Sequence, residues 1–162
     1  MRGALHPTRI DIPLETRVKV IDELGILLAS CSDMYGQAKQ AHWNIKGSRF
    51  QMLHELFDKI ADPFPDYVDA LAERITALGG TAMGTVRMAA MSSVLPEFPY
   101  TEFSEEVYLD AVATRLAIMT KTFRDKAIAI KEAGDPTTEN YLLETAMEID
   151  KLLYFVESHI SM

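Results

Sequence analysis

Residues 41–80, AHWNIKGSRFQMLHELFDKIADPFPDYVDALAERITALGG, decide how this chain is built. From Phe50 to Leu78, apolar residues recur at three- and four-residue steps: Phe50, Leu53, Phe57, Ile60, Phe64, Val68, Leu71, Ile75 and Leu78. That period belongs to the buried stripe of an α-helix, not to a strand. Ser48 with Gln51 three residues later reads as a capping box that opens the helix, and Gly79-Gly80 closes it. Pro63 and Pro65 lie inside the stripe. Each removes a backbone donor and costs about 3 kcal/mol in a straight helix, so the sequence predicts a kink or bulge near residues 60–65.

The same stretch carries His42, His54, Asp58, Asp69 and Glu73. On a wheel of about 100° per residue with His54 at zero, Asp58 falls at about 40°, Asp69 at about 60° and Glu73 at about 100°. The apolar stripe spans roughly −120° to −40°, so all four polar groups line one flank of it, where a second surface would pack. His42 stands four residues after Ala38 at the end of the preceding helix, close to His54 if the connecting turn is tight. Two imidazoles and three carboxylates form a nitrogen/oxygen donor set suited to iron, for which zinc would compete.

Length decides how the set can close. Asp58 and Asp69 are about 16 Å apart along a helix rising about 1.5 Å per residue. Ligands of one ion all lie within about 2.0–2.6 Å of it. His42, His54 and Asp58 therefore cannot readily share an ion with Asp69 and Glu73 of the same chain. Two copies packed antiparallel through this helix, about a two-fold axis, would bring one group against the other and build two equivalent sites. The spacing is also compatible with a rim of interface salt bridges, and both readings stand at this point.

Outward from this stretch, three more segments have helical period. Pro13 to Trp43 carries Val20, Leu24, Leu27, Cys31, Met34 and Ala38 on one face, with Pro13 at its first position. A helix from about Ser104 to Ala133 carries Val107, Ala111, Leu116, Phe123, Ala127 and Ile130, and Gly134 ends it. Asp135-Pro136 then opens a last helix with Leu142, Ala146, Ile149, Leu153, Val156 and Ile160 inward. Residues 81–103 are irregular apart from a short helix near Thr85–Ser92. They are long enough to cross a bundle and make the second and third helices parallel. The predicted fold is all-α: a ferritin-like four-helix bundle whose long crossover carries a short extra helix. Residues 1–12 read as a short N-terminal tail and 13–160 as one domain.

A net charge of −8 and a pI near 5.0 disfavour general nucleic-acid binding, which needs a basic face. Cys31 is the sole cysteine and fits a reducing compartment. No apolar run approaches the roughly 20 residues of a membrane span, and the N-terminus lacks an apolar export core, so the cytoplasm is expected. Met83, Met88 and Met91 read as gap-fillers rather than soft-metal ligands.

AHWNIKG, LHELFD and DYVDALAERITALGG resemble the Dps family, the mini-ferritins known as DNA-binding proteins from starved cells. GTVRMAA, LPEFP and DKLLYFVESHI extend the likeness over nearly all of the chain from about Leu14. The resemblance implies a hollow homododecamer that oxidises Fe(II), usually with hydrogen peroxide and otherwise with O2, stores ferric mineral and protects against oxidative stress. It implies a ferroxidase centre at the dimer interface, with His42, His54 and Asp58 from one subunit and Asp69 and Glu73 from its partner. Glu73 is the candidate bridging carboxylate, and Trp43 resembles the family's tryptophan beside the site. Larger ferritins use Glu-x-x-His pairs, but the only histidine at that spacing here follows Gln51.

Two departures matter. The tail offers Arg2, His6 and Arg9 and no lysine before Lys19, and twelve copies at −8 each would carry about −96, so DNA binding is expected to be weak or absent. Asn140 stands where the family places an aspartate of the iron-entry pore; Asp135, Glu139 and Glu144 could supply the field instead. The competing reading is a nucleoid-associated structural protein whose metal site is vestigial or structural.

Overall fold

In the computed structural model, which describes residues 5–101 and 104–160, the stripes become the core of a bundle. The helices are α1 (Leu14–Asn44), α2 (Phe50–Ala61), α3 (Phe64–Ala77), α4 (Val86–Ser92), α5 (Glu105–Ala133) and α6 (Pro136–Glu157). No strand occurs among the described residues. Every predicted inward residue of α1 is buried, from Val20 through Ala38. Pro13 is the N-cap of α1 and not its first helical residue.

The predicted kink is real and breaks one helix into α2 and α3. Asp62 and Pro63 keep right-handed helical angles, at φ −48° and ψ −45°, then φ −79° and ψ −17°. Pro65 lies in the first turn of α3, where its missing donor would have no partner anyway. The helical phase survives: Phe57, Ile60, Phe64, Leu71, Ile75 and Leu78 are all buried. Tyr67 is buried beside the half-buried Val68.

The start of the stripe needs correction. Phe50 is 42% exposed, and Ser48 does not cap α2, whose N-cap is Arg49 without a side-chain bond. Gln51 binds Glu55 instead. The turn is organised from a distance by Glu105, which accepts from the Arg49 backbone N–H at 2.6 Å and from its Nε at 2.6 Å. Gly47 at φ +138° lies against this carboxylate; a Cβ there would come within 2.3 Å of Glu105 Oε1.

Long-range contacts fix the chain direction. Arg49, at the start of α2, meets Glu105 at the start of α5. Arg74, near the end of α3, meets Asp135 just past the end of α5 at 2.9 Å. α2–α3 and α5 therefore run parallel, as the long crossover requires. Arg115, 5% exposed, pins that crossover to the bundle. It donates to the carbonyls of Pro96 and Glu97 and to Gln37 Oε1, and its guanidinium lies 5.3 Å from the centre of the Phe98 ring.

Residues 5–12 lie along the end of the bundle. The His6 amide donates to Gly79 O at 2.7 Å, Arg17 donates to Ile12 O and Leu78 O, and Ile10 and Ile12 pack on the core. Arg2 lies outside the described residues. No helix among the described residues is long and apolar enough to cross a membrane.

Candidate metal centre

The tight turn between α1 and α2 brings His42 and His54 together. Their rings stack with centroids 3.7 Å apart and planes 22° apart. Each Nδ1 lies on the other residue's backbone carbonyl: His42 Nδ1 to His54 O at 2.7 Å, His54 Nδ1 to His42 O at 2.8 Å. A carbonyl only accepts, so each Nδ1 must carry the proton, and each Nε2 keeps a lone pair in the neutral ring. Orienting one ring nitrogen by a backbone carbonyl while the other ligates is the usual arrangement of metal-binding histidines. Phe50 stacks on His54 with ring centroids 5.1 Å apart, so this exposed ring has a local partner.

Asp58 stands one turn after His54, with Oδ1 3.8 Å from His42 Nδ1. Its direct partner is one that sequence reasoning missed. The Lys39 ammonium is bonded to the same Oδ1 and, against the cost of burial, holds this carboxyl below the usual carboxylate range. A signal was present: Lys39 lies three residues before His42, on the same face of α1.

Asp69 and Glu73 are exposed on α3, and the structure does not bring them to the histidine pair. Among the described residues of one chain, no three His, Cys, Asp or Glu side chains converge to hold a metal ion. His42, His54 and Asp58 lie near the turn between α1 and α2, while Asp69 and Glu73 lie apart from them on α3. Trp43 is 68% exposed beside His42.

The expectations for Asp135 and for the methionines change. Asp135 is fully buried, capping α6 and paired with Arg74, so it cannot supply the field of a pore. Glu139 pairs with Lys131 at 3.0 Å, and Glu144 accepts from Asn140 at 2.9 Å. Met83 and Met91 are 44% and 86% exposed, so they fill no gap within this chain.

The fold agrees with the comparisons. Residues 21–162 match the family described as ferritin-like domain, which defines the class. Within it, the chain is 35% identical over 155 residues to the DNA protection during starvation protein of Agrobacterium fabrum, covering 96% of both. It is 31% identical over 140 residues to DNA protection during starvation protein 1 of Deinococcus radiodurans, covering 86% of this chain and 67% of that one. DpsC from Streptomyces coelicolor superposes over 100% of this chain and 95% of its own, with a TM-score of 0.93 at 25% identity. The chain belongs to the Dps family of ferritin-like proteins.

Proposed function

We propose that this chain is a ferroxidase and iron-storage mini-ferritin, and that its reaction centres are shared between subunits. The observation that carries this reading is the stacked histidine pair, with both Nδ1 protons held by carbonyls and both Nε2 lone pairs left for a metal. His42, His54 and Asp58 of one subunit hold Fe(II), and Asp69 and Glu73 of a two-fold partner complete its coordination. Neutral imidazoles suit the ferrous ion at near-neutral pH, while carboxylates favour the ferric product and so ease its formation.

The electron balance favours hydrogen peroxide as oxidant. Two Fe(II) ions each give one electron, and peroxide with two protons is reduced to two waters without releasing hydroxyl radical. Ferric product then collects as mineral inside a dodecameric cage in the cytoplasm. DNA is protected by removal of iron and peroxide together, a reading that fits both the names of the relatives and the acidic charge of −8. Direct DNA binding gains nothing from residues 5–12, which are laid against the bundle rather than offered as a lysine-rich arm.

Stopped-flow oxidation of Fe(II) by peroxide under anaerobic conditions tests the assignment. His54→Ala removes one of two nitrogen donors and is expected to slow oxidation at least about 100-fold, the scale on which an active-site group commonly acts. Wild-type rates in a correctly assembled His54→Ala protein would contradict the proposed centre.

A further inference from the structure

His42 sits on the last turn of α1, a long helix held by its buried stripe, whereas His54 sits on α2, which begins without a side-chain cap. What fixes that beginning is Arg49. Its amide donates to Glu105 Oε1 and its Nε to Glu105 Oε2, both at 2.6 Å. Its Nη2 donates to Glu106 Oε1 at 2.7 Å and its Nη1 to the carbonyl of His159 at 3.3 Å. The start of α2, the start of α5 and the segment just past α6 therefore meet on one guanidinium. A planar fork of donors can serve three acceptors in this way, and a single ammonium cannot. The Glu105 side chain is only 10% exposed, so water competes little for the clamp.

The clamp lies just over one helical turn before His54, and Arg49 O accepts from the Leu53 amide at 3.0 Å, so movement at Arg49 is carried along α2. The reciprocal bonds of the histidine pair leave little slack. They measure 2.7 and 2.8 Å, and a slide of α2 by the rise of one residue, about 1.5 Å, is enough to break both. Each ring would then be free to turn and to exchange tautomers, because the bond made by one ring nitrogen decides what the other presents.

We propose that Arg49 is a positioning residue for the histidine pair: clamped by Glu105, Glu106 and the chain just past α6, it sets α2 at the height where His42 and His54 lock each other's Nδ1 protons. Its consequence for metal affinity rests on the metal-centre reading above. Arg49 touches neither imidazole and no proposed ligand. It acts by where it holds the helix.

Two measurements on the assembled full-length protein test this. Nitrogen NMR of histidine-labelled, metal-free protein reads the tautomers directly, with His54→Ala assigning the pair. The wild type is expected to hold His42 and His54 as single Nδ1-protonated tautomers, and Arg49→Ala to show mixed ones. Optical titration with Co(II), which takes the same nitrogen and oxygen donors, is expected to show affinity falling about 10- to 100-fold in Arg49→Ala, the scale for losing a group that orients a ligand. Arg49→Lys keeps the charge without the fork and should not restore either readout, which separates geometry from charge. Glu105→Gln keeps the acceptor for the Arg49 amide and loses the one for Nε, so a smaller loss in the same direction is expected even if Arg49→Ala assembles poorly. Wild-type tautomers and wild-type Co(II) affinity in Arg49→Lys and Glu105→Gln would overturn the role of Arg49 while leaving the centre intact. Co(II) binding that His54→Ala does not change would instead overturn the centre itself.

Discussion

The position of His54 depends on a contact 51 residues away in the chain, because Glu105 accepts from both the amide and the guanidinium of Arg49 where α2 begins. Gly47 leaves room for that carboxylate and adopts φ +138°, which side-chain-bearing residues rarely do. Gly47→Ala should lose about 2–3 kcal/mol of stability, since it combines backbone strain with displacement of Glu105. A chemical-denaturation midpoint equal to the wild type's would contradict this. Asp135 is the other residue on which one end of the bundle rests. Burial opposes its ionisation, but the Thr138 hydroxyl and amide and the Arg74 guanidinium outweigh that and hold its carboxyl below the ordinary carboxylate range. Because the folded pKa is depressed, this stabilisation is present above the unfolded value of about 3.9 and is lost as pH falls through the folded value. Asp135→Asn should therefore lose about 1–3 kcal/mol at pH 7 and flatten the acid limb of the stability curve. An equal loss at pH 7 and below pH 3, read from thermal melts, would be evidence against this ion pair.

At the scale of elements, the periodic segments are where the sequence was most informative. Four stripes, the Gly134 stop, the Ser104 and Asp135 starts and the proline interruption all follow from residues within a turn or two of each other. What stayed hidden was set by distant partners. Ser48 and Gln51 have the spacing of a capping box, yet Glu105 takes over that turn from the far side of the bundle. Lys39 shares a face with His42 in the sequence, but only the packing of α1 on α2 places it on Asp58. The histidine pair was legible as a proximity, but its reciprocal carbonyl bonds were not, because they depend on how tightly the turn closes. The prolines give a prediction at this scale. A proline straining a helix interior costs about 3 kcal/mol, so its removal would stabilise. Pro65 instead sits in the first turn of α3, where it mainly restricts the unfolded chain. Pro65→Ala should thus cost about 0.4–1 kcal/mol, and a gain in denaturation midpoint would contradict the geometry described for α3.

For the whole molecule, incompleteness is the informative property. One chain presents a nitrogen-rich half-site at the start of α2 and a carboxylate pair on α3, with no convergent ligand set among its described residues. The proposed isologous pairing would supply each half with the other and make two centres per dimer. Subunit mixing reads this directly. His54→Ala and Glu73→Ala each disable both centres of their own homodimer, but a mixed dimer contains one centre with both substitutions and one with neither. Random reassortment of equal amounts makes about half of the dimers mixed, so peroxide-driven Fe(II) oxidation should return to about a quarter of the wild-type rate. Two variants that stay inactive after verified mixing would contradict a centre shared between subunits.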